Sequence, residues 1–105
     1  MEMYDIYIAF VSWGKEGKRR PILILDEKAG YVKAFNITTQ YEKKNDRIRT
    51  KYFTITEWKE AGLDKPSYID TINTILIPLP AVEIQSPIGK LSLTDELRLI
   101  EFMNR

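Results

Sequence analysis

The segment Arg19-Arg20-Pro21-Ile22-Leu23-Ile24-Leu25 limits the fold more than any other stretch of the chain. Four large aliphatics follow one another with no polar gap. A strand with one wet face would alternate, so this run is covered on both faces or lies inside a small closed barrel. Pro21 fixes its own φ, has no N–H to donate, and biases Arg20 toward an extended backbone. Two fixed positive charges therefore stand at the entry of a strand that must be buried.

The flanking pattern predicts a small α+β domain spanning residues 1–105, its sheet mostly antiparallel and curled into a partly closed barrel. Strands are expected over 4–11, 22–26, 31–40, 51–55 and 67–77, with a brief one at 82–84. On the first, Tyr4, Ile6, Ile8 and Phe10 share one face at period two. Residues 12–20 and 41–50 read as polar loops, and 28–30 as a tight turn. A short helix is expected over 56–61, capped by Thr56 and stopped by Gly62. Another closes the chain, with Ser92 and Asp95 resembling a capping box. On it, Leu93, Leu97, Ile100 and Met103 form the apolar side, and Asp95, Glu96, Arg98 and Glu101 the polar side.

Composition removes several kinds of chemistry. The sequence holds no cysteine and no histidine. Disulfides, thiolate catalysis and zinc fingers drop out, as do the usual proton shuttle and the commonest metal ligand. The carboxylates are scattered, so neither a metal nor an organic cofactor is expected. The first residues carry no basic leader and no apolar run reaches membrane length, which predicts a soluble cytoplasmic protein. Charge is uneven: residues 1–51 hold 11 Lys and Arg against 7 Asp and Glu, whereas 52–105 hold 5 against 8. The positive excess lies at 15–20 and 43–51. Two readings fit these segments, phosphate attraction or solvated loops.

Antiparallel register brings the first candidate pair together. A hairpin turned near residue 29 sets Arg20 opposite residue 38, a threonine, with Thr39 and Gln40 beside it. A guanidinium fork next to a hydroxyl suits a phosphate. The competing reading pairs Arg20 with Glu16 or a distant carboxylate and leaves Thr38 an ordinary strand residue.

Five segments in order resemble the MazF/PemK family of bacterial toxins, in its PemK-like branch. They are Asp5-Ile6-Tyr7-Ile8-Ala9-Phe10, then Arg20-Pro21-Ile22-Leu23-Ile24-Leu25, then Ile37-Thr38-Thr39-Gln40. Trp58-Lys59-Glu60-Ala61-Gly62-Leu63 with Lys65-Pro66-Ser67-Tyr68 follows, and Ile88-Gly89-Lys90-Leu91-Ser92 closes the set. Tyr4 departs from the family's usual glycine, and Glu16 lies one place after the loop acid of some members. The resemblance implies an SH3-like, CcdB/MazF-like barrel that forms a homodimer. It also implies cleavage of single-stranded RNA and silencing by a cognate antitoxin. By position, Arg20 and Thr38 match the catalytic arginine and threonine, and Gln40 a neighbouring polar position.

RNA carries its own nucleophile, the 2′-OH, so a 2′,3′-cyclic phosphate and a 5′-OH form without a metal. Lys18, Arg19, Thr39, Gln40, Lys43, Lys44, Arg47 and Arg49 are the candidate substrate contacts. Trp13 and Tyr41 serve either as base platforms or as core and dimer-seam residues. Glu16 is either a base or a solvated charge. The final helix and the strand over 67–77 are candidate self-association surfaces. The alternatives from other classes are a non-enzymatic CcdB-like toxin that binds a protein target and a catalytically silent RNA-binding relative.

Overall fold

The computed structural model describes residues 1–41 and 45–105. Its strands are β1 (Asp5–Trp13), β2 (Glu16–Lys28), β3 (Tyr31–Thr38), β4 (Tyr52–Ile55), β5 (Ser67–Asp70), β6 (Ile75–Pro78) and β7 (Gly89–Lys90). Helices α1 (Asp46–Arg49) and α2 (Leu93–Met103) and a 3-10 turn at Leu79–Ala81 complete it. The strands form one curled antiparallel half-barrel in the order β4-β5-β3-β2-β1-β7, with β6 also paired to β3.

The aliphatic run feeds two cores on opposite sides of this sheet. Leu23 points into a cluster with Ile6, Phe35, Ile37, Phe53 and Ile69, closed by Leu91 and by Leu99 of α2. Ile22 and Ile24 point into the other, with Tyr7, Ala9, Val32, Ala34 and Ile77. Adjacent strand residues face opposite ways, so successive apolar positions require two covered faces. β1 obeys the same logic: Ile6 is buried on one side and Tyr7, Ala9 and Val11 on the other, while Phe10 is half exposed. The single apolar face expected for this strand is thus only part of its pattern.

Several expected elements shift. Residues 12–20 are a hairpin, not a loop: Trp13 pairs with Glu16, and the ladder continues to Ala9 and Arg20 and beyond. Gly14, at φ +58°, makes the turn. The expected strand over 67–77 divides into β5 and β6, because both pair with β3 and the intervening residues 71–74 leave the ladder. Val82 forms only an isolated bridge to Ala9. The 41–50 segment contains the single turn of α1, capped by Asn45, whose Oδ1 accepts from the Ile48 N–H at 2.9 Å.

No helix forms over 56–61. Those residues make successive turns, and Asp95 of α2 caps them from outside. Its carboxylate accepts from the Glu57 N–H at 2.8 Å and the Thr56 hydroxyl at 2.8 Å. Asp95 is fully buried, contrary to its expected place on the polar side. Ser92 does cap α2, accepting from the Asp95 N–H at 3.1 Å. The helix is also rotated from expectation: Asp95 and Leu99 are buried, while Leu93, Leu97, Ile100 and Met103 are exposed.

Candidate active site

The register of β2 and β3 builds the site. Lys28 pairs with Tyr31 across the two-residue turn Ala29-Gly30, both at positive φ. A β-bulge between Ile24 and Asp26 then moves the alignment by one residue, so Ile24 faces Ala34 and Ile22 faces Asn36. Extended by two residues, that register sets Arg20 across from Thr38. The pairing itself stops short of them. Beyond Ile22, β2 stays with β1, while β3 turns to β5 through Ile37–Ile69 and Thr38–Tyr68. A cleft of about 190 Å³ opens where the strands part. Arg20, Thr38, Thr39, Gln40 and Lys18 are among the residues lining it.

Arg20 stands on β2 at the same strand parity as Ile22 and Ile24 of the second core. Its guanidinium lies over the Trp13 ring, 5.3 Å from the centroid. Its Nε is buried and has no hydrogen-bond partner among the described residues. No carboxylate of the described residues forms an ion pair with it, Glu16 included. A buried charged donor without an acceptor is costly unless an anion completes it. Thr38 Oγ1 accepts the Gln40 N–H at 3.1 Å. That bond fixes the side chain and leaves the hydroxyl hydrogen available to an oxygen in the cleft.

Strand parity adds residues that sequence patterning missed. Tyr68 pairs with Thr38, and Asp70 pairs with Tyr52, two places along on the same face. The Tyr52 hydroxyl donates to Asp70 at 3.4 Å. Burial and the Asp70 carboxylate push the Tyr52 phenol up, and the Arg20 charge opposes them. Asn36 belongs to the same face, its Oδ1 buried and without a partner among the described residues. Tyr52, Asp70 and Asn36 stand in alternating β-branched and aromatic segments. Only the observed register reveals that they share a face with Arg20.

Other expected contacts are redistributed. Arg19 also lines the cleft, and it makes a two-pronged ion pair with Glu83 at 2.6 and 2.8 Å. That bond holds the Glu83 carboxyl below and the Arg19 guanidinium above their ordinary values. Trp13 engages Arg20 with its ring. Tyr41 stacks on Tyr68 with centroids 4.3 Å apart, and Arg49 lies over Tyr41. Arg47 sits on α1, outside the cleft lining. Lys43 and Lys44 lie outside the described residues. Among the described residues no three His, Cys, Asp or Glu side chains gather into a group that could hold a metal. Nor is any helix there long and apolar enough to cross a membrane.

The fold has a solved counterpart. Toxin MazF-mt6 of Mycobacterium tuberculosis superposes with a TM-score of 0.70 over 93% of this chain and 90% of that one, at 26% identity. The chain is MazF-like. The curled sheet with two helices is the expected CcdB/MazF-like α+β architecture, and the resemblance to the MazF/PemK family is supported in three dimensions. No family model and no curated relative matches the sequence. The MazF-like character therefore rests on backbone geometry carried by a divergent set of side chains.

Proposed function

We propose that this MazF-like domain, residues 1–105, is a sequence-selective endoribonuclease toxin acting on single-stranded RNA in the cytoplasm without a metal. The observation that carries the reading is that Arg20, whose buried Nε has no hydrogen-bond partner among the described residues, and the oriented Thr38 hydroxyl line one cleft. In the proposed reaction the 2′-oxygen attacks the adjacent phosphorus and loses its proton. The bond to the 5′-oxygen breaks, and that oxygen leaves as a hydroxyl. The products are a 2′,3′-cyclic phosphate and a 5′-OH end.

Arg20 stabilises the charge that builds on the non-bridging oxygens, with Trp13 holding the guanidinium plane. Thr38 donates to one of those oxygens. A donor of this kind contributes about 3 kcal/mol to transition-state stabilisation. The Lys18 side of the hairpin and the basic residues over 43–49 attract flanking phosphates. A cognate antitoxin with an acidic segment would occupy the same cleft and exclude RNA. The exposed row Leu93, Leu97, Ile100 and Met103 on α2 forms the homodimer face, since a helix with an open apolar stripe gains by covering it.

Arg20→Ala tests the reading. Purified variant and wild type are incubated with unstructured RNA, and their circular dichroism spectra are compared. Unchanged spectra with cleavage abolished support the proposal. Cleavage retained at the wild-type rate contradicts it. Salt-sensitive RNA binding with no cleavage by the wild type would favour the silent RNA-binding relative.

A further inference from the structure

We propose that a second cavity, beside the Arg20 cleft, receives one nucleobase of the substrate and makes that base part of the recognised sequence. This deepens the ribonuclease reading and rests on it. Pro21, Thr39 and Ser67 border both cavities, so the two adjoin. A strand whose phosphate lies at Arg20 reaches the second cavity with an adjoining nucleotide. The cavity measures about 260 Å³. Ile8, Leu63 and Ile88 give it an apolar lining, and the exposed residues Asp64 and Lys65 supply charge. An apolar slot with a few polar groups suits a flat base that hydrogen-bonds along one edge.

The wall is held in place before any ligand arrives. Gly62 adopts φ +90°, and a Cβ there would stand 2.3 Å from the Ile88 carbonyl oxygen. A Cβ on Gly89 would stand 2.5 Å from the Ala61 carbonyl oxygen. Residues 61–62 therefore lie directly on 88–89, backbone to backbone. The Ser67 hydroxyl donates to the Lys65 carbonyl at 2.8 Å and anchors the far end of the turn. Pre-formed walls keep the ordering cost of binding low.

Charge type sets the edge that fits, a donor beside an acceptor. Asp64 offers acceptors only and Lys65 donors only. Together they match a base edge with an exocyclic amine beside a carbonyl or ring nitrogen, as in cytosine, guanine or adenine. Uracil also meets such a pair, with its N3–H toward Asp64 and a flanking carbonyl toward Lys65.

Two measurements test the cavity. Wild-type protein is titrated with each of the four nucleoside 5′-monophosphates while the methyl resonances of Ile8, Leu63 and Ile88 are followed by NMR. At least one nucleotide is expected to shift these methyls, the preferred base giving the largest shift. Separately, the 5′ ends of RNA fragments cut by wild type, Asp64→Ala and Lys65→Ala are sequenced. Each variant is expected to lose base preference about tenfold at one position, the worth of roughly one charge-assisted hydrogen bond. Methyls silent to all four nucleotides overturn the proposal, as do variants that cut with the wild-type preference. If wild type cuts no RNA but the methyls still respond, the cavity stands and the ribonuclease reading falls. If RNA is cut and both variants keep the wild-type preference, the reverse holds.

Discussion

Arg20 and Thr38 line one cleft, and a single bulged residue sets the register of the ladder that leads to it. Without the irregularity between Ile24 and Asp26, the Ala29-Gly30 turn would set Arg20 against Thr39. The bulge changes the register by one and brings the oriented threonine into line. What Arg20 contributes is geometry as well as charge, because its planar fork lies on Trp13 and its Nε faces no acceptor among the described residues. Arg20→Lys keeps the charge and loses the fork, so kcat for RNA cleavage is expected to fall about ten- to a hundredfold, the worth of one charge-assisted hydrogen bond. Thr38→Val keeps the shape and removes the hydroxyl. Its kcat is expected to fall about a hundredfold, with KM nearly unchanged if the bond forms mainly in the transition state. Single-turnover kinetics at saturating protein separates the two effects.

At the scale of elements, α2 presents two unlike faces. Its inner face carries Leu99 into the core and Asp95 to the turn after β4. Burial alone would push the Asp95 carboxyl up. The Glu57 N–H, the Thr56 hydroxyl and Arg98 outweigh burial and hold it below the usual carboxylate range. The folded state thus favours the ionised form. Its contribution is complete above the unfolded carboxylate value of about 3.9 and is lost as pH falls through the depressed folded value. Asp95→Ala should cost about 2–3 kcal/mol at pH 7, measured by urea denaturation, because it strands buried donors. Asp95→Asn should flatten the acid limb of the stability curve.

The outer face of α2 is the exposed apolar row. Leu97→Glu should convert a dimer into a monomer in sedimentation equilibrium without lowering the melting temperature. A wild type that sediments as a monomer would remove α2 as a dimer face.

These elements also show what sequence can and cannot specify. The run Ile22-Leu23-Ile24 announced burial on both faces, and Ser92 announced the start of α2. The side of α2 that meets the core was misjudged, because Asp95 counts as polar until its partners 38 and 39 residues away are known. The hairpin over 12–20 was hidden for a related reason: its strands are polar where they project beyond the two cores. Residues 56–61 carry helix-like spacing, yet tertiary capping by Asp95 bends them into turns.

For the whole molecule, a sheet that covers both of its faces leaves few places to bind a ligand. One is where β2 and β3 part. There the strands stop satisfying each other, and the side chains at the gap are Arg20, Thr38 and their neighbours. The MazF-like architecture thus supplies a cleft by geometry, and this chain fills it with groups suited to a phosphate. Analysis of product ends is the most direct measurement. Unstructured RNA is incubated with the wild type in excess EDTA, and the fragments are examined by mass spectrometry. The account predicts full cleavage with 2′,3′-cyclic phosphate and 5′-hydroxyl ends, and intact RNA with Arg20→Ala. Cleavage that stops with chelator, or that leaves 5′-phosphate ends, would contradict it.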